Sequence, residues 1–274
     1  MKNEDIGRLA AQKLRDEFDL GVAPIDSLVH LLEHRMNIGV AFVQTDARGH
    51  GLTMQRGEQT MIAVGCTEHP MRLRSTLAHE IGHLRLNSVT GSATNSGWDE
   101  RSREEIQADA FARHLLLPLE AVADRCGGRP LSLAVLSELV QCFGASPKIV
   151  SIQLREASLL SREDAEVWGS YSTRAIAQRF GWYSQYQALA SEAMMPRGPQ
   201  ALFSRAMCGY EWGLVSVAAL ARLNGSGNAH EMAQQLEKVG ITPRDFPDIV
   251  ASRPSESGEG LTEEELRLLS EAAD

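Results

Sequence analysis

Apolar residues recur at helical spacing along most of this chain and at strand spacing only between about residues 40 and 65. Residues 3–18 read as a helix, and Asp26 as the N-cap of a second that runs to about Met36. A strand is expected from Val40 to Thr45. Gly51–Gln55 and Thr60–Gly65 read as two more, joined as a hairpin through Arg56, Gly57 and Glu58. Pro70 then opens a helix to Asn87 in which Leu73, Leu77, Ile81 and Leu84 form one apolar stripe. Residues 88–101, rich in Ser, Gly, Thr and Asn, read as a loop that Trp98 anchors to the body. Residues 103–118 return to helical spacing, with Ala108, Phe111, Ala112, Leu115 and Leu116 on the inward face.

After Pro118 the pattern is helical. Residues 119–160 resemble a helix-turn-helix, broken at Gly144 and capped again by Ser146. From about residue 166 a further helical region begins. Residues 253–260 read as a flexible linker before a last helix, which Thr262 and Glu265 mark as a capping box and Leu261 with Leu266 as a hydrophobic staple. The expected fold class is α+β: a small mixed sheet with the helix that follows it, then a mostly helical C-terminal region, divided as residues 1–165 and 166–274.

Composition narrows the function classes. The 274 residues are 43% hydrophobic and 23% charged, which is ordinary for a globular chain with a proper core. A net charge of −9 argues against non-specific nucleic-acid binding by the molecule as a whole, while leaving local basic faces open. The N-terminal residues lack an apolar signal core, and no segment approaches the roughly 20 apolar residues of a membrane span, so a cytoplasmic protein without a membrane partner is expected. Cys66, Cys126, Cys142 and Cys208 are widely spaced with no CxxC pair, which predicts buried thiols rather than a disulfide framework.

The chemistry concentrates in the pentapeptide His79-Glu80-Ile81-Gly82-His83. On a helix, His79 and His83 share a face away from the apolar stripe, and imidazoles four residues apart can both reach a Zn²⁺ at roughly 2.0–2.1 Å. Glu80 is the candidate general base. One class of zinc protease completes the site with a glycine and a third histidine further along, but Leu86 and Val89 hold those positions here. A carboxylate from the next helix is the alternative. Glu105 and Asp109 lie on its inward face, where charges need partners. Zinc would satisfy Glu105, and Asp109 could accept the free ring N–H of a liganding histidine. Glu105 has a second reading, because Ser102 and Glu105 also fit a capping box. Cys66 ends a strand just before the motif, and its thiolate is a candidate switch that could occupy the zinc and hold an enzyme latent.

With these residues in place, the segments STLAHEIGHLRLN and EIQADAFARHLLLP resemble the ImmA/IrrE metallopeptidase family, over about residues 25–160. The resemblance implies a zincin-like core and a zinc metalloendopeptidase with His79, His83 and Glu105 as ligands and Glu80 as base. It also implies a protein partner, a co-encoded helix-turn-helix repressor whose cleavage releases stress-response or anti-phage genes. An extended substrate would pair with an edge strand, here assigned to Thr60–Gly65. The runner-up is a non-proteolytic regulatory or DNA-binding module that keeps the zincin shell. Residues 171–222 hold eight of the fifteen aromatics and five arginines against two glutamates, while residues 223–274 are acidic. That interleaving suggests a single-stranded nucleic acid effector at the C-terminal region, against the alternative that the aromatics are simply a helical core.

Overall fold

The computed structural model describes residues 2–87 and 102–244. Helix α1 spans Asn3–Glu17. The second helix is capped by Ser27 and not by Asp26, because the Ser27 hydroxyl is the oxygen that accepts the His30 N–H, at 3.1 Å. It runs as α2, Leu28–His30, and then widens into a π-helical turn, Leu31–Arg35, closed by the Met36 N–H on the Leu31 carbonyl. Strands β1 (Ile38–Val43), β2 (Gly51–Arg56) and β3 (Gln59–Gly65) follow, β1 beginning two residues before the expected start.

The sheet order is β1-β3-β2, with β1 parallel to β3 and β2 antiparallel to it. This corrects the expected substrate edge. The strand containing Thr60–Gly65 is central, and its Ile62 lies between Val40 on one side and Thr53 on the other. Its backbone groups are engaged by both neighbours, so it has no edge to offer. Arg197 covers β1 by exchanging two backbone hydrogen bonds with Phe42, at 2.9 and 3.0 Å, while its guanidinium meets the buried Glu33 carboxylate at 2.6 Å. Among the described residues, the edge that remains is β2.

Helix α3, Pro70–Arg85, packs its stripe of Leu73, Leu77 and Ile81 into a core shared with the sheet, with α1 and with α4, Arg103–Leu116. Helices α3 and α4 approach very closely at Gly82. A Cβ there would stand 3.1 Å from both the Ala108 Cα and Phe111 Cδ1, and 3.2 Å from the Ala108 carbonyl oxygen. Helix α1 clasps the other side of α4. Arg15 is 3% exposed and donates to the carbonyls of Leu115, Gly21 and Ala23. Glu4 meets Arg113 at 2.5 Å and His114 at 2.9 Å. Burial pushes the Glu4 carboxyl pKa up, but these two partners outweigh it and hold it below the usual value.

A second core joins α5 (Leu119–Cys126), α6 (Leu133–Phe143), α7 (Pro147–Glu156), α9 (Thr173–Arg179) and α10 (Tyr183–Ala193), with α8, Arg162–Gly169, against α7. Gly144, at φ +58°, makes the break between α6 and α7, which meet at 110°, and Ser146 caps α7 through the Ile149 N–H. Trp182 is buried here, its indole N–H donating to Ser137 at 2.9 Å, and the Tyr186 hydroxyl donates to the Glu68 carbonyl at 3.4 Å. A small third core unites α11 (Gln200–Glu211), α12 (Val217–Leu223) and α13 (Ala229–Lys238), with Phe203 and Tyr210 packed on it. The fold is α+β, a three-stranded mixed sheet followed by a mostly helical C-terminal region. Among the described residues no single helix is long and apolar enough to cross a membrane. Trp98, the linker at 253–260 and the Thr262–Glu265 capping box lie outside the described residues.

Replacing Gly82 by valine should force α3 and α4 apart and lower stability by about 1–3 kcal/mol, the usual cost of overpacking. Urea unfolding of the metal-free protein measures this. Unchanged stability would show that the close approach is not a constraint.

Candidate metal centre

Helix periodicity brings His79 and His83 to one face of α3, one turn apart, with their Nε2 atoms 3.0 Å from each other. The α3–α4 contact at Gly82 then presents the first turn of α4 to that face. Glu105 places one carboxylate oxygen 3.2 Å from His79 Nε2 and the other 3.3 Å from His83 Nε2. Ser102 still caps α4 through the Glu105 N–H, at 3.2 Å, but the Glu105 carboxylate turns to the histidines rather than back to the cap. The cap and the carboxylate cluster therefore coexist.

Asp109, one turn further along α4, accepts from His79 Nδ1 at 2.9 Å. That bond places the ring proton on Nδ1 and leaves the Nε2 lone pair facing His83 and Glu105. Two imidazole nitrogens and a carboxylate converge on one point, which is an arrangement for a cation. Their donor atoms all lie within 4.8 Å of one another. Tetrahedral Zn²⁺ with bonds of roughly 2.0–2.1 Å separates its ligand atoms by about 3.3–3.4 Å. The spacings of 3.0, 3.2 and 3.3 Å match that within the small movements of three side chains.

Glu80 points from the same helix toward β2. It is 9% exposed, and its Oε2 accepts the Thr53 hydroxyl at 2.7 Å. Gly51 makes the room: a Cβ at that position would lie 2.5 Å from Glu80 Oε1. Neither residue was singled out by sequence reasoning. Strand β2 carries a faint signal, because it exposes Leu52 and Met54 and buries the polar Thr53 between them. Cys66 is not brought into the cluster. It is 2% exposed in the sheet core, its N–H on the Val43 carbonyl, and burial raises its thiol pKa, which disfavours a thiolate.

These groups line a cleft of about 1500 Å³. The cleft continues along α3 to its N-terminus and is walled there by α7 and by residues of α9 and α10, including Arg174, Tyr183 and Tyr186. Sequence reasoning placed Arg174, Tyr183 and Tyr186 nowhere beside the metal motif, since about ninety residues or more separate them from it.

Burial pushes the His79 imidazole pKa down, but the hydrogen bond and charge of Asp109, with Glu105 and Glu80 behind them, outweigh it and leave the pKa raised. In the metal-free protein, protonated His79 is therefore stabilising. That contribution is complete below about pH 6.5, the ordinary histidine value, and is lost as pH rises through the higher folded-state value. The metal-free protein should melt at a higher temperature at about pH 6 than at about pH 8, whereas metal binding should weaken over the same descent, because proton and metal compete for one nitrogen. Calorimetry with and without a chelator checks both slopes. Parallel slopes would remove His79 from the donor set.

Residues 35–155 match the family described as the IrrE N-terminal-like domain, a peptidase family. No curated protein matches the chain. The matched span begins at the end of the π-turn and reaches through α7, so it contains β1 to β3 and all four of His79, His83, Glu105 and Asp109. Residues 35–155, which carry the whole donor cluster, are therefore similar to the IrrE N-terminal-like peptidase domain.

Proposed function

We propose that the protein is a zinc-dependent endopeptidase with Glu80 as general base. The observation that carries this reading is the placement of Glu80: a carboxylate held by Thr53, next to three convergent metal donors and facing an open cleft. A metal site that served structure alone would have no use for it. His79, His83 and Glu105 would hold Zn²⁺, and Asp109 would fix the His79 tautomer. When bound, zinc supplies a Lewis acid that polarises a peptide carbonyl and makes a water more acidic. Glu80 Oε1, the oxygen not engaged by Thr53, takes the proton of the attacking water and can deliver it to the leaving amine. Strand β2 is the edge on which an extended substrate can align.

The substrate in this reading is a co-encoded helix-turn-helix repressor, cut in the cytoplasm to release stress or defence genes. Its support is the resemblance of the two motif segments to repressor-cleaving members of the family. The DNA-binding alternative would use α6 and α7. Most of α7 is committed elsewhere: Val150, Ser151, Gln153 and Leu154 are buried, Ile149 and Ile152 line the cleft, and exposed Arg155 is paired with Glu156. That leaves little surface for gripping phosphates.

Glu80→Gln should keep its zinc and lose at least about 10²-fold in cleavage of the repressor encoded beside the gene. Near wild-type cleavage by a zinc-loaded variant would remove Glu80 from the mechanism. Glu105→Ala should lose zinc on dialysis, whereas Asp109→Asn should weaken it only about 10- to 100-fold. Metal analysis gives the order, and the reverse order would exchange the two roles.

A further inference from the structure

The cleft is electrically two-ended. Its metal end is acidic, with Glu80, Glu105 and Asp109, and its other end is basic. Arg72 of α3, Lys148 of α7 and Arg174 of α9 line that second end from three different helices. All three are exposed, and none is ion-paired with a described residue. The Arg174 guanidinium lies 5.7 Å from the centre of the Tyr183 ring, which is itself stacked on Tyr186 at 6.2 Å and 16°. Among the described residues Glu68 is the one acid lining that end, and it lies 4.0 Å from His69.

This placement works against the helices that carry it. Arg72 and Lys148 occupy the first turns of α3 and α7, neither of which has an acidic residue there. Positive charge at a helix N-terminus is opposed by the helix dipole. Three cations with no ion pair among the described residues, brought together at a local cost within a chain of net charge −9, call for an anionic occupant.

We infer that this end of the cleft is a specificity subsite for an aspartate or glutamate side chain of the polypeptide substrate. The inference uses the peptidase reading only to locate the scissile bond. Seven residues of α3 separate Arg72 from His79, about 10 Å of helix rise. An extended substrate covers that in about three residues at roughly 3.3 Å each. The favoured substrate therefore carries a carboxylate about three residues from the bond that is cut, on the side lying over the N-terminal half of α3. Tyr183 and Tyr186 provide a flat apolar wall for the stem of that side chain, and Arg174, held over the Tyr183 ring, meets its head.

The test uses the full-length zinc-loaded protein and two dye-labelled dodecapeptides that differ only in having Glu or Gln at alternate positions. At low salt, fluorescence anisotropy should show the Glu peptide binding about tenfold more tightly, the sum of a few exposed ion pairs of ordinary strength. The preference should persist after zinc is chelated, which separates it from direct metal binding. It should disappear in Lys148→Glu/Arg174→Glu, whose zinc content and melting temperature should hold, since an acid at the start of α7 favours that helix. Equal affinity for the two peptides, or a preference that survives the charge reversal, would overturn the inference. So would tighter binding of an oligothymidylate of the same length that displaces the Glu peptide, which would make the site one for nucleic acid. If the Glu peptide binds as expected and is never cut, the anion subsite stands and the peptidase reading falls.

Discussion

The separation of α3 and α4 at Gly82 is the constraint on which the metal centre depends. His79 and His83 are placed by the period of a single helix, but Glu105 and Asp109 arrive on another, and only the distance between the two axes decides whether four side chains converge. Without a Cβ at Gly82, the backbone of α4 rests almost directly on that of α3. The Glu105 carboxylate can then bridge both imidazoles, while Asp109, one turn on, reaches the far nitrogen of His79. A wider gap would leave two buried-side imidazoles and two carboxylates to solvent and to no shared cation.

The parts of this arrangement that lie on one helix were readable before any coordinates, because the helical period alone places residues four apart on one face. The proximity of Glu105 to the histidines was readable for a related reason: a carboxylate on an otherwise apolar face needs a partner. What was not readable depends on relations between elements. The central position of β3 follows from the parallel pairing with β1, and no local pattern distinguishes that from a meander with β3 at its edge. Thr53 escaped because a threonine in a strand is unremarkable until Glu80 is set opposite it. Ser27 and Asp26 are both good caps, and the choice between them rests on which side chain faces the His30 N–H. Cys66 lies near the motif in sequence, yet its strand directs it into the sheet core.

The cleft joins parts of the chain that have quite different sequence character. Its metal end is built by the matched domain, and its basic end owes Arg174 and the tyrosine wall to helices beyond it. The same later helices also shape the sheet. The Arg197 segment bridges β1 at Phe42, and among the described residues the outer edge of β2, beside Glu80, has no such bridge. Chain outside the matched span thus shapes one sheet edge and one wall of the cleft, while the metal motif itself is untouched.

Helix α1 lies outside the matched span, yet it packs on α4 from Gln107 to Leu115, with Arg15 sunk among carbonyls and Glu4 tied to Arg113 and His114. A recombinant fragment trimmed to residues 35–155 would uncover a trench of apolar surface along the helix that supplies Glu105, and would strip the Leu115 carbonyl of its Arg15 donor and Arg113 and His114 of Glu4. A piece that keeps this core whole is therefore larger than the matched span, and expression boundaries drawn from the match alone would cut through it.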